Sequence, residues 1–316
     1  MKSNNYNTPS FCLEVWGTDY NNIKSTCLLA EKLGYYGFYY GESLADIDLD
    51  CWTVISNLSA ITNRIKLGPV ITYLFPEYRN IFLLAKQAMT LQEVSNGRLE
   101  FRTGAGATLQ RSSQWWHPYG IDYPNNKERV SILDEGVQIL DKLWNKQTTV
   151  SFEGKHFKIN GATLREVTNQ KRIPVTIAAK RNKTMEIAAK YADIWESSYI
   201  TPEQFALLNK KFNAIYKEIN NNDCNRSKKI SKSIELDVII ADSDSDLEYK
   251  KRIFAMERGP SVAHQILKHG LVGKPDEIQD KLKEYMNAGV HQFFLAFQDP
   301  FDHKALDLFM NATAIR

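Results

Sequence analysis

Two rhythms of apolar positions alternate along the chain. Short, nearly continuous apolar runs fall at 11–16, 36–40, 65–72, 98–103, 174–178, 193–197, 234–241 and 291–297, the pattern of strands buried on both faces. Between them lie stretches with apolar residues three and four apart. In 19–33, Ile23, Cys27, Leu28 and Ala30 recur near helical spacing, and Gly34 supplies a stop. Helical spacing returns at 51–62, 81–94, 128–144, 183–191, 202–220, 246–256, 275–288 and 303–313. Repeated strand-then-helix units predict parallel strands joined by right-handed crossovers, and eight of them favour a closed (β/α)8 barrel, the TIM barrel, over an open sheet. Extra material follows strands 4 and 7. It includes a polar, aromatic stretch at 107–126, and a hairpin pattern at 150–159 turns at Glu153-Gly154. No Pro-, Gly- or Ser-rich linker divides the chain, so one domain over 1–316 is expected.

Barrel active sites sit at the C-terminal ends of the strands. That rule directs attention to 16–17, 41–43, 70–73, 104–107, 179–181, 197–199, 241 and 298.

Composition removes several classes of function. Forty Lys and Arg face 37 Asp and Glu, a net charge of +3, too balanced for nucleic acid or an anionic membrane as the main partner. The basic run at 220–232 reads as a solvated loop. Cys12, Cys27, Cys51 and Cys224 show no paired spacing, which points to buried thiols in a reducing compartment rather than to zinc or disulfides. The six histidines form no metal set; His264 and His269 are five apart and share no zinc-binding face. No apolar run approaches the roughly 20 residues of a membrane helix, and residues 1–9 lack a signal-peptide core, so a cytoplasmic protein is expected.

Three stretches add chemistry: 50–68, 84–106, and 272–278 with its continuation at 288–294. With Tyr119-Gly-Ile-Asp-Tyr123, Phe152-Glu-Gly154 and 188–195, they form an ordered set that resembles the bacterial-luciferase-like superfamily along nearly the whole chain. The resemblance implies an oxidoreductase whose cofactor is reduced FMN or the deazaflavin coenzyme F-420, its tricyclic ring lying in the barrel mouth. It places the ring against Val70, Ile71 and Thr72, with a non-proline cis peptide at Val70–Ile71. The loop Gly104, Ala105 and Gly106 would approach the ring closely, since glycine lets backbone near a ligand. Ala179, Lys180, Arg181 and Thr184 would hold the cofactor's phosphate at a helix N-terminus. Trp16, Tyr73, Trp116 and His117 would line the substrate pocket, the aromatic 115–119 cluster acting as a lid.

The sequence departs from the family at Tyr39-Tyr-Gly-Glu-Ser43, where relatives carry an acid followed by histidine. Glu42 keeps the acid and Ser43 replaces the imidazole; Ala107 stands where an assisting glutamate is found in F-420 sugar-phosphate dehydrogenases. Glu42 and Ser43 are therefore the catalytic candidates, although serine has no pKa near neutrality. Tyr40, Tyr73 and His117 are further proton carriers, and Glu14 reads as a buried, paired carboxylate. The compact chain favours F-420-dependent hydride transfer on a small organic substrate. The alternatives are a two-component FMN monooxygenase fed by a separate flavin reductase, and a non-catalytic flavin-binding barrel. A homodimer through the faces of 22–32 and 50–62 is implied by the resemblance.

Overall fold

The computed structural model describes residues 8–144, 149–164, 172–221 and 229–313. Cys224 and most of the basic run at 220–232 lie outside these residues. Eight strands make the wall: β1 (Ser10–Val15), β2 (Gly37–Gly41), β3 (Lys66–Val70), β4 (Phe101–Gly104), β5 (Val175–Ala178), β6 (Ile194–Ser198), β7 (Ser231–Ile240) and β8 (Gln292–Phe297). All pair in parallel in the order β3-β2-β1-β8-β7-β6-β5-β4. Parallel bridges Leu67–Leu99 and Thr72–Thr103 join β3 to β4 and bring the barrel to near closure. The expected (β/α)8 barrel is the fold.

Helices α1 (Tyr20–Leu33), α2 (Cys51–Ile61), α3 (Ile81–Val94), α4 (Asn126–Trp144), α5 (Asn182–Tyr191) and α6 (Pro202–Asn221) follow the first six strands. Their ends obey local chemistry. The Asp19 carboxylate accepts the Asn21 and Asn22 N–H groups, and Gly34, at φ +90°, closes α1 in the left-handed conformation. Asn80 caps α3 in the same way as Asp19 caps α1. Outside the barrel Trp195 stacks on Phe205 and Phe212 of α6, with centroids 5.5 and 4.5 Å away. Such pairs add about 0.5–1.5 kcal/mol beyond buried area.

Both insertions are present. After β4 come the loop holding 109–119 and α4, then a two-stranded hairpin, Val150–Glu153 with Lys158–Ala162. After β7 come α7 (Asp244–Arg258), α8 (Pro260–His269), a short strand Leu271–Gly273 and α9 (Pro275–Asn287); α10 (His303–Thr313) follows β8. The pattern did not predict α8 or the short strand. Pairing between β6 and β7 reaches Glu235, and the short strand pairs with β7 at Val238–Ile240, extending the sheet above the barrel.

Candidate active site

Alternation along the strands aims charged side chains inward, and these must find partners. Arg102 of β4 is fully buried. Its guanidinium pairs with Glu14 of β1, with Glu196 of β6 (2.6 and 2.8 Å) and with Glu235 of β7 (2.9 Å). The Phe294 ring lies 4.1 Å from the guanidinium carbon. Burial pushes the Glu14 and Glu196 carboxyls up from their ordinary values, and Arg102 opposes that rise. Glu14 is thus the paired carboxylate its sequence position suggests, although its Oε2 has no hydrogen-bond partner. Tyr199, just past β6, takes φ +50°, unusual for a non-glycine residue. Its hydroxyl donates to Glu235. Burial, then Glu235, raise the phenol well above its usual value, so it stays neutral.

The rim above β2 and β3 holds the two catalytic candidates in different states. Glu42 is buried and tied down: Arg79 pairs with it at 2.6 Å, the Thr72 hydroxyl donates to it at 2.5 Å and Tyr78 at 3.3 Å. Burial raises its carboxyl despite Arg79. Ser43 donates to Asp48 at 3.0 Å and accepts the Ala45 N–H at 3.1 Å. The Asp48 carboxyl is pushed up to about 6 by burial, with the Ser43 hydrogen bond pulling the other way. Trp16 lies across Gly41, where any Cβ would collide with the indole and come within 2.7 Å of Asp48 Oδ2.

Across the β3–β4 seam, Val70 packs inward against Cys12, Tyr39 and Phe294. Thr72 donates its N–H to the Arg102 carbonyl at 2.9 Å, and its own carbonyl accepts the Thr103 hydroxyl at 2.7 Å. The cis bond expected at Val70–Ile71 is absent; no peptide bond among the described residues is cis. The seam gives the reason. The Val70 carbonyl accepts the Glu42 N–H at 3.2 Å and the Thr72 N–H is also spent, so the ladder continues on both sides of Ile71. A Cβ at Gly104 would sit 3.2 Å from Ile71 and 3.1 Å from Ala178. Gly106, at φ +79°, leaves 2.8 Å to the Tyr73 ring and meets the Tyr123 hydroxyl. The Ala105 carbonyl is fixed by Arg129 at 2.9 Å and that of Ala107 by Tyr123 at 3.0 Å.

The aromatic insertion folds inward. Trp116 is fully buried, its ring against Tyr73, Phe75 and Tyr78 at centroid distances of 5.0, 5.6 and 4.8 Å. His117 is exposed. Tyr73 and Trp116 therefore meet in one cluster beside the seam, while Trp16 stands at the β1–β2 rim.

On the next strand, which pairs Ala178 with Gly104, Ala179 is pinned between β5 and β6: its N–H donates to the Glu196 carbonyl and its carbonyl accepts the Trp195 indole, at 2.9 and 2.8 Å. The buried Thr184 side chain turns back on the helix start; its oxygen accepts the Arg181 N–H at 3.2 Å and its hydroxyl donates to the Arg181 carbonyl at 2.9 Å. That oxygen is engaged locally, whereas the first-turn N–H groups of α5 and the exposed Lys180, Arg181 and Lys183 give this end positive character. His269, at the end of α8, sets its ring edge to face against Tyr199 at 5.7 Å. Burial and Lys180 lower its pKa.

Sequence reading missed Asp48, Arg79, Arg102 and His269, whereas Tyr199 lay within the strand end 197–199 that the barrel rule pointed to but was given no role. Arg102 carried a signal: a charge within an otherwise buried strand must pair. The others come from loops or an insertion, where no spacing points to the mouth. Among the described residues, no group of three or more His, Cys, Asp or Glu is placed to hold a metal, and no helix is long and apolar enough to cross a membrane.

The sequence pattern of the luciferase-like monooxygenases matches residues 5–269, and the chain belongs to that family. Pyrimidine monooxygenase RutA of Agrobacterium fabrum is 26% identical over 241 residues, 72% of this chain and 62% of the relative. RutA of Acinetobacter baylyi is 25% identical over 199 residues, 58% of this chain and 52% of the relative. The chain thus spans only about half to three-fifths of these relatives. Among solved structures, an F-420-dependent secondary alcohol dehydrogenase bound to an F-420–acetone adduct superposes with TM-score 0.79 at 16% identity, covering 96% of this chain and 98% of that one. The coenzyme F-420-dependent tetrahydromethanopterin reductase of Methanopyrus kandleri gives 0.77 at 20% identity, with the same coverage. A long-chain alkane monooxygenase gives 0.76 at 15% identity, covering 96% and 90%. The fold is thus shared with F-420 enzymes and monooxygenases alike.

Proposed function

We propose that the protein oxygenates a small organic substrate with O2 and reduced FMN, the latter supplied by a separate flavin reductase: one oxygen atom enters the substrate, the other leaves as water, and the flavin ends oxidised. The observation that carries this reading is the adjacency of two features on neighbouring strand ends at one barrel mouth. The seam at Val70, Ile71, Thr72, Gly104, Ala105 and Gly106 has glycines where any Cβ would crowd Ile71, Ala178 or Tyr73. Beside it, past the end of the strand paired with β4, is the cationic start of α5, with Ala179, Lys180, Arg181 and Thr184. A flat ring against the seam and a phosphate at α5 fit both, and the ring would supply the redox chemistry when bound. The choice of FMN over F-420 is supported by the sequence relatives, which are named pyrimidine monooxygenases, and by the family to which the chain belongs, the luciferase-like monooxygenases. Trp16 and Tyr73 would present apolar surface to the substrate, the buried Trp116 would support Tyr73 from behind, and Glu42 would hold the seam through Thr72 and Arg79.

F-420-dependent hydride transfer is the second reading, favoured by the superposition on the secondary alcohol dehydrogenase. A homodimer through the outer faces of α1 and α2 belongs to the same proposal. The test is oxygen uptake with reduced FMN and a flavin reductase, with and without uracil as the first substrate tried. Product formation dependent on this protein supports the first reading. Binding of F-420 with no response to reduced FMN contradicts it and favours the second.

A further inference from the structure

The family resemblance leaves the mouth without its imidazole, and Ser43 alone cannot move protons. The residue that Ser43 touches can. Asp48 stands on the 42–50 loop, over the ends of β1 and β2. A β-bridge to Gly17 fixes it there. The Tyr40 hydroxyl fixes the loop a second time, donating to the Gly17 carbonyl at 2.5 Å and accepting the Leu49 N–H at 2.7 Å. Asp48 Oδ1 accepts from Ser43 at 3.0 Å. Its Oδ2 is buried, lies against Gly41 beside Trp16 and has no hydrogen-bond partner. Glu42, which follows β2 directly, has both oxygens occupied by Arg79, Tyr78 and Thr72.

We propose that Asp48, oriented by Ser43, is the group that transfers protons at the barrel mouth. This rests on the reading that a reduced ring binds there. The carboxyl gives its proton to negative charge forming on oxygen, and the carboxylate regains one from water at the exposed edge of Asp46 and Ile47. In the substrate-free reaction the balance is simple: the FMNH− anion, O2 and one proton give oxidised FMN and hydrogen peroxide.

The groups facing Asp48 allow it to titrate near neutrality. From β1 and β2 these are Trp16 and Tyr40; from its own loop, Ser43; from α2, the Cys51 thiol, which donates to the Tyr40 carbonyl, and Asp50, which caps the helix. The cation nearest this rim, Arg79, is held by Glu42, and no cation pairs with Asp48 among the described residues. Burial therefore decides, and Ser43 moderates it.

The experiment joins carboxyl NMR of the apo-protein to hydrogen peroxide release from reduced FMN, for wild type, Asp48→Asn and Ser43→Ala. The expected result is an Asp48 signal titrating at about 6, moved upward in Ser43→Ala and displaced by FMN. The wild-type rate should fall as pH rises through the same range. In Asp48→Asn the rate should drop roughly 100-fold or more at the acid end and lose that inflection, with FMN binding retained. An Asp48 signal at an ordinary carboxylate value, or an unchanged pH profile in Asp48→Asn, overturns the proposal. Failure of wild type to bind any flavin or deazaflavin overturns the cofactor reading and this inference with it, and the binding titration reveals it before any variant is made.

Discussion

Arg102 is the single side chain on which most of the barrel interior depends. Removing one partner from a buried ion pair costs about 3–5 kcal/mol, because the other charge is left without compensation. Arg102→Met should lose that much in urea denaturation. The sign with pH follows from Glu14 and Glu196. Their folded carboxyls lie above the unfolded range, so the folded state holds protons more tightly, and stability falls as pH rises from the unfolded value through the folded one. Without Arg102 that dependence steepens, and the variant should recover part of its loss at pH 5 relative to pH 8. Equal loss at both pH values would mean that the carboxylates are not what Arg102 compensates. Trp116 makes a different case at this scale. It reads from the sequence as a lid residue but is buried among Tyr73, Phe75 and Tyr78. Trp116→Ala should destabilise by about 3–5 kcal/mol, measurable by the same denaturation; a loss below 1 kcal/mol would show that the side chain moves out of the core in solution.

Among the elements, the start of α5 and the β4 loop decide how a cofactor would be held. Lys180 and Arg181 are exposed beside the first-turn N–H groups. The double change Lys180→Ala, Arg181→Ala should weaken FMN by roughly tenfold or more, about 1.4 kcal/mol, and leave riboflavin, which has no phosphate, unchanged. Equal effects on both ligands would move the phosphate elsewhere. Gly106→Ala should cost about 1–2 kcal/mol for its left-handed backbone and reduce ring binding through Tyr73. Much of this organisation is legible in the sequence. The strands, the capped helices and the small residues after β4 all follow from local pattern. Helix α8 was not legible: it begins at Gly259-Pro260, which punctuate the chain like a turn, and it buries only Ile266. The trans bond at Val70–Ile71 was equally hidden, because it depends on hydrogen bonds to Glu42 and Arg102 from neighbouring strands.

The whole molecule shows where local reading stops. Eight repeated units point to a barrel, since that number of strand-then-helix units favours closure over an open sheet. The polar interior announces nothing, because its pairs join residues 88, 94 and 133 positions apart. Ser43 could be seen as a departure, but Asp48 became visible only once the 42–50 loop was folded back onto Gly17. The account's central claim is that the mouth of this barrel binds a reduced flavin ring with its phosphate at α5. The most direct test is titration of the purified apo-protein with FMN, reduced FMN and oxidised F-420, followed by ring absorbance and fluorescence, in wild type and in the Lys180→Ala, Arg181→Ala variant. The account predicts saturable binding that is tightest for reduced FMN and weakened in the variant. No binding of any of the three, or binding indifferent to the α5 cations, would contradict it.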